Sequence, residues 1–284
     1  MITSTKNSRI IEARKLTQRK HRVKQNRFLV EGLQLLTIAT EAAQTSGRVK
    51  PLEVFYCDEL FTGHSAPRLL NQLAELGAVT FAVAPHVLDA LSERDTSQGL
   101  AATFALQELE WSLPEVGRHL VALPNHALIL ILDKLQDPGN LGTLIRTADA
   151  AGVQAVILLE PCVDLFDLKT VRGTMGSLFT VPFCRIKNVT ELWWWLQEIN
   201  YCPVGADAPQ GEIVWHSHAL QGNVALVLGN EARGISPELH ARLAQFVSLP
   251  LLGRAESLNV AVAGGVLMYE WLRVNQPNPS QNPK

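Results

Sequence analysis

With 284 residues, 47% of them hydrophobic and 18% charged, the chain is long enough for one large domain or two ordinary ones and apolar enough for a substantial core. No apolar run reaches the ~18–20 residues that span a bilayer, and the opening stretch MITSTKNSRIIEARK has no apolar segment behind its charges, so a cytoplasmic protein without a secretory signal is expected. The formal net charge of −2 hides an asymmetry: residues 1–27 carry nine Lys/Arg against the single acid Glu12, a balance of +8, which leaves −10 for the remainder.

In the basic segment, Ile10, Ile11, Leu16 and Val23 lie between charges and predict a helix over 8–25. A charged end of this kind is the electrostatic footprint of a polyanion partner, with a solvated basic face as the plain alternative. FLVEG (28–32) reads as a short strand ending in a turn, with a helix over 33–45 after it. EVFYC (53–57), AVTFAVA (78–84) and GLAATFAL (99–106) read as strands, with a helix over 67–76 between the first two. The alternation makes a small α/β layer, and residues 1–106 are taken as a first domain. Residues 107–126 lose periodicity and contain two prolines, which reads as a linker.

A second domain is expected over 127–273. ALILIL (127–132) is a continuous apolar run, the pattern of a parallel strand buried on both faces. Helices are predicted over 140–151, within 167–178, and over 190–199 and 257–273. Strands are predicted at 155–159, 180–184, 201–206, 224–229 and 246–250. The polar, proline-rich tail 274–284 is expected to be disordered. Trp193, Trp194 and Trp195 are consecutive in a helix, so at least one should be partly exposed. Cys57, Cys162, Cys184 and Cys202 show no C-x-x-C pair and no zinc-like spacing to histidine. They are expected as free thiols, with neither a disulfide framework nor a metal.

Three stretches in the second domain place polar or glycine residues beside apolar runs, as at the carboxyl ends of strands where open α/β sheets bind ligands. In the first, Asp137-Pro138-Gly139 is a turn signal. Asn140 then stands at a helix start, and Arg146 lies almost two turns on, able to reach a phosphate or ribose. Their plain readings are a helix cap and a surface charge. In the second, Gly229 lets a ligand approach the backbone. Glu231 is the carboxylate of that loop, with an ion pair to Arg233 as the rival reading. In the third, Ser257 opens the last helix as its N-cap or as a site residue. Asn259 is harder to explain as a cap and easier as a contact to ligand or partner chain. Gly253, Leu249 and Leu258 offer backbone groups and an apolar slot for a planar base. No G-x-G-x-x-G opens a helix and no Walker-type lysine is present, so a dinucleotide fits poorly.

The blocks LDKLQDPGNLGTLIRTADAAGV (132–153), LVLGNEARGIS (226–236) and LPLLGRAESLNVAVA (249–263) closely resemble the three signature motifs of the SpoU, or TrmH-like, branch of the SPOUT RNA methyltransferases. The resemblance is strong over 127–273. It is looser over 1–105, where RKHR (19–22), FLVEG (28–32) and SQG (97–99) are similar to a ribosomal-protein-like substrate-binding domain. It implies a mostly parallel α/β sheet flanked by helices, with a C-terminal trefoil knot, a rare feature. A smaller α/β substrate-binding domain would precede it.

The implied activity is 2′-O-ribose methylation of RNA by S-adenosylmethionine, an in-line attack of the 2′-hydroxyl on the sulfonium methyl. Large-subunit ribosomal RNA is the expected substrate and transfer RNA the alternative. The implied catalytic set is Asn140, Arg146, Glu231, Ser257 and Asn259. Gly229, Leu249, Leu258 and Asn259 are the implied cofactor contacts, and Arg19, Lys20 and Arg22 the RNA contacts. Arginine rarely deprotonates, so Arg146 is expected to stabilise the developing alkoxide and not to act as a base. A homodimer sharing its sites between chains is also implied, with no metal and no membrane. The rival from another class is a non-catalytic RNA-binding or ribosome-assembly factor on the same fold, which the five intact residues oppose.

Overall fold

The computed structural model describes residues 1–92, 98–123 and 126–275. Ser97, the last part of the expected linker at Pro124 and Asn125, and the tail from Gln276 lie outside the described residues. The chain divides into two compact units, one of Met1–Glu110 with Asp164–Thr180, the other of Trp111–Val163 with the residues from Val181 onward.

The first unit contains α1 (Ser8–Arg14), α2 (Arg19–Gln25), β1 (Arg27–Glu31), α3 (Leu33–Thr45), β2 (Pro51–Tyr56), α4 (Ser65–Glu75), β3 (Val79–Ala82), α5 (Pro85–Asp89) and β4 (Leu100–Ala105). Its sheet runs β1-β4-β2-β3, with β4 antiparallel to both neighbours and β3 parallel to β2. The helix expected over 8–25 is broken: a short 3₁₀ turn, Lys15–Thr17, follows α1, and Gln18 is extended with ψ 128°. Arg22 explains the break. Its guanidinium folds back to donate to Leu16 O (2.6 Å) and Thr17 O (2.9 Å), carbonyls that the end of a helix leaves open. It also pairs with Asp164 at 2.5 Å. At 2% exposure, Arg22 is not a surface contact for RNA, which corrects the expectation for this residue. Arg19 and Lys20 remain exposed.

The segment expected to be a linker carries α6 (Leu113–Val121), which starts in a Ser112/Glu115 capping box. Pro114 lies in its first turn, where proline is tolerated because that N–H has no helical partner. The second unit continues with β5 (Leu128–Asp133), α7 (Pro138–Ala150) and β6 (Ala155–Leu159). The chain then contributes residues 164–180, including α8 (Leu168–Gly173), to the first unit. There Phe166 packs on Phe28 at 4.8 Å between ring centroids, Phe179 packs on Phe104 at 5.4 Å, and Leu168 joins a core of Ile10, Ala13 and Leu16. Gly176 has φ 106° and lies so close to Ile38 that a Cβ would sit 2.4 Å from its Cδ1, so only glycine fits.

The second unit resumes with β7 (Phe183–Ile186), α9 (Val189–Glu198), β8 (Cys202–Ala206), β9 (Glu212–Ile213), β10 (Val224–Leu228), α10 (Pro237–His240), β11 (Gln245–Ser248) and α11 (Val260–Asn275). Its sheet runs β7-β6-β5-β10-β8-β11-β9, every neighbouring pair parallel. β5, β6 and β10 are buried along their whole length, as their continuous apolar sequences require. In α9, Trp195 is buried while Trp194 is 66% exposed, the partial exposure expected of three consecutive tryptophans. Among the described residues no helix is long and apolar enough to cross a membrane. Cys57, Cys162 and Cys184 are buried free thiols and Cys202 is half-buried.

Candidate active site

The second sheet reverses its winding beside β5: β6 and β7 extend it on one side and β10 begins the other. Loops diverge at such a switch point, and the carboxyl ends of β5 and β10 border the crevice between them. The first loop runs from Lys134, held at φ 57°, to Asp137, whose carboxylate accepts from Asn140 N at 2.8 Å and caps α7. Asn140 is therefore not the cap; its side chain is left for another partner. That partner is Glu231, to which Asn140 Nδ2 donates at 3.1 Å.

Glu231 also accepts from Gln136 N (3.2 Å) and Asp137 N (3.1 Å), so its carboxylate bridges the two loops, and among the described residues it makes no ion pair with Arg233. Partial burial pushes its pKa up, but hydrogen bonds from Asn140, from its own backbone N–H and from Asp137 and Gln136 outweigh this and hold it below the usual carboxylate value.

Asn259 supplies the third part. Its Oδ1 accepts from Ala261 N (2.9 Å) and Val262 N (3.3 Å), the N-cap geometry, and α11 begins at Val260. The expectation that Ser257 opens this helix is thus corrected: the cap is the residue thought hardest to explain as one. Asn259 Nδ2 donates to Asn140 Oδ1 at 2.9 Å. One hydrogen-bonded chain, Asn259 to Asn140 to Glu231, links all three sequence motifs. It lines an open cleft of about 550 Å³ with Gln136, Asp137, Asn230 and Ala232.

Other candidates stand apart from this cleft. Arg146 is exposed on α7, ~240° around the helix from Asn140, and makes no side-chain hydrogen bond or ion pair among the described residues. Ser257 is exposed, Leu249 half-buried, and Leu258 42% exposed. Residues 249–258 make no backbone–backbone hydrogen bonds among the described residues, and Leu252 within them is 98% exposed. Gly229 is buried, and a Cβ there would lie 2.2 Å from Gly234 C and Ile235 N. Its missing side chain makes room for its own loop.

Gly264 does the same for helix packing, since a Cβ would meet Leu144 at 2.6 Å and Leu228 at 2.5 Å. It seats α11 on α7 and β10. The outer face of α11 shows Val262, Val266 and Tyr269, 54%, 37% and 50% exposed, at helical spacing on one stripe.

Asn230, absent from the expected set, is nearly buried, and its side chain joins the two loops. Its signal in sequence was only its place between Gly229 and Glu231. Among the described residues no group of three or more His, Cys, Asp or Glu side chains is placed to hold a metal ion.

Residues 127–269 match the model of the SpoU rRNA Methylase family, and residues 7–102 that of the MRM3-like substrate binding domain. The chain is 34% identical over 270 residues to the 23S rRNA (guanosine(2553)-2′-O)-methyltransferase RlmP of Bacillus subtilis, covering 94% of this chain and 97% of that protein. An AdoMet-bound rRNA methyltransferase from Sinorhizobium meliloti superposes with a TM-score of 0.83 at 30% identity, covering 96% and 97% of the two chains. The SpoU methyltransferase AviRb from Streptomyces viridochromogenes, in complex with AdoMet, gives 0.82 at 26% identity over 94% and 98%. With both halves matched and a relative similar along nearly its whole length, the chain belongs to the SpoU rRNA methylase family.

Proposed function

We propose that this chain is an S-adenosylmethionine-dependent RNA 2′-O-ribose methyltransferase acting on large-subunit ribosomal RNA in the cytoplasm. The observation that carries the reading is the chain from Asn259 through Asn140 to Glu231, which ties three separated motifs together beside the switch point. The name of a relative similar along nearly its whole length, a 23S rRNA 2′-O-methyltransferase, supports ribosomal RNA over transfer RNA.

The loop 249–258 fits the cofactor. Its backbone N–H and C=O groups make no backbone–backbone bonds among the described residues and are largely exposed, so they are accessible to a ligand. Leu249 and Leu258 add apolar surface for an adenine ring. S-adenosylmethionine, when bound, supplies an electrophilic methyl on a sulfonium.

The chain's own residues orient and stabilise. Asn140 and Asn259 fix the cleft wall, each with a second amide N–H left for an incoming oxygen. Glu231 locks the two loops together, and Ser257 is an exposed hydroxyl two residues before the α11 cap. Arg146 offers a planar fork of donors to a phosphate or to oxygen charge on the ribose. The first unit would recruit RNA through exposed Arg19, Lys20 and Lys24 on α2, with Arg22 as their internal support.

The reading includes a homodimer and the C-terminal trefoil knot. Val262, Val266 and Tyr269 form the stripe a symmetric interface would cover, on a helix packed against the one that carries Arg146. The bond from Asn259 to Asn140 and the seat of Gly264 on Leu144 and Leu228 hold α11 against α7 and β10, and the knot is carried over from the family resemblance.

Transfer of labelled methyl from S-adenosylmethionine to ribosomal RNA, followed by mapping of the modified ribose, tests the reading. Cofactor-dependent 2′-O-methylation of large-subunit RNA is expected. Methylation confined to transfer RNA would move the substrate. Cofactor-free RNA binding without transfer would return the chain to the class of assembly factors.

A further inference from the structure

We propose that Asn230 is a positioning residue that sets the Glu231 carboxylate by clamping its loop onto the end of β5. The inference rests on the methyltransferase reading for its consequence, but its geometry stands alone. Asn230 is 9% exposed, and each polar atom is used. Nδ2 donates to Lys134 O at 2.8 Å, while Oδ1 accepts from Ala232 N at 3.0 Å and Arg233 N at 3.1 Å. Its backbone N–H and C=O exchange bonds with those of Gly234, both at 2.9 Å. A second point of attachment lies two residues after Gly234, where Ser236 N donates to the buried Asp133 at 2.6 Å.

The loop 230–236 is thus held at both ends on consecutive residues, Asp133 and Lys134, and Glu231 lies inside the clamp. Lys134 itself is a non-glycine residue at φ 57°, a conformation uncommon for side-chain-bearing residues. In this state its carbonyl accepts from Asn230, and two residues on, the N–H groups of Gln136 and Asp137 meet Glu231.

An amide is required at position 230. Aspartate keeps the two acceptor contacts but sets a carboxylate oxygen against the Lys134 carbonyl, two acceptors with no proton between them. Serine also accepts from the following N–H groups but is too short to replace the bond to Lys134. Asn230→Ser is therefore the variant that removes one bond while sparing the local turn. Asn230→Asp adds the repulsion.

Hydrogen exchange on the protein alone, without cofactor or RNA, reads the clamp directly. Faster exchange by about tenfold is expected at Gln136, Asp137, Ala232 and Arg233 in Asn230→Ser, with core strands unchanged. In parallel, single-turnover methylation of ribosomal RNA at saturating cofactor should fall by about tenfold while RNA affinity and melting temperature hold, a split that a merely structural loss does not give. Exchange within about twofold of wild type in both variants overturns the clamp. Faster exchange with unchanged turnover overturns the positioning role. If the wild-type chain methylates no RNA, the functional reading fails, and the exchange arm still decides the clamp.

Discussion

Asn259 caps α11 with its Oδ1 and, through Nδ2, donates to Asn140 Oδ1 at 2.9 Å, so one side chain both starts the last helix and ties it to α7. The two roles are separable, because serine is an equally good cap but does not reach Asn140. Asn259→Ser should therefore leave stability within about 1 kcal/mol of wild type. Single-turnover methyl transfer should fall by roughly tenfold or more, as expected when a network of coupled hydrogen bonds is cut. Thermal unfolding and single-turnover assays on the same preparation check both. A normal rate would confine Asn259 to capping.

Arg22 is expected to behave as a core residue despite standing in the most basic stretch of the chain. Its partner Asp164 belongs to the segment that the second half of the sequence contributes to the first unit. Removing one member of a buried ion pair costs about 3–5 kcal/mol, and the exposed Arg19, 3.9 Å from Asp164, offsets only part of that loss. Arg22→Ala should lose that much in denaturant unfolding. The exposed Lys20→Ala should stay within about 0.5 kcal/mol of wild type and lower the salt slope of RNA binding by about 0.7–0.9. Equal stability of the two variants would place Arg22 back on the surface.

Much of the second sheet is legible in sequence because parallel strands buried on both faces are written as continuous apolar runs. LILIL, AVILL and VALVL announce β5, β6 and β10 within a residue. The motif residues were legible as a set, but their local roles were not. Asn140 and Asn259 are both good caps by type, and only the fold shows that Asp137 takes one cap and Asn259 the other. Arg22 was misread because charge patterning has no way to show that a carboxylate far along the chain covers it. α6 was missed because Pro114 reads as a breaker until the Ser112/Glu115 capping box is recognised around it. The first unit's claim on residues 164–180 rests on packing of Phe166 and Phe179 between distant aromatics, for which sequence spacing carries no signal.

The ionisation of Glu231 gives a prediction with a definite sign. Its folded pKa lies below the usual carboxylate value, so its contribution to loop order is full above the unfolded pKa and is lost as pH falls through the folded one. Exchange protection at Gln136 and Asp137 should hold through neutral pH down to the ordinary carboxylate range and fall only on the acid side of it. Glu231→Gln keeps an acceptor without the charge and should abolish that acid step, with weaker protection at every pH. Protection that declines already near neutrality would assign the step to another group.

Arg146 gives the sharpest test of the proposed chemistry because it separates so cleanly from folding. It is exposed on α7 and without a side-chain partner among the described residues, so its replacement should change stability by no more than about 0.5 kcal/mol. It does not line the Asn140–Glu231 cleft of its own chain, so under the proposed function it would serve as a donor toward RNA or toward the site of a second chain. Loss of one donor aimed at charge that develops in a transition state costs ~10²–10³ in rate. Arg146→Ala should show that loss with cofactor affinity held within a few-fold. Arg146→Lys discriminates further: lysine keeps the positive charge but not the planar fork that holds phosphate and ribose oxygen together. Titration calorimetry with S-adenosylmethionine and single-turnover transfer to ribosomal RNA should find Arg146→Lys normal in the first and severely slowed in the second. Near-normal turnover by the lysine variant would mean that bare charge suffices. Near-normal turnover by the alanine variant would remove Arg146 from the catalytic set.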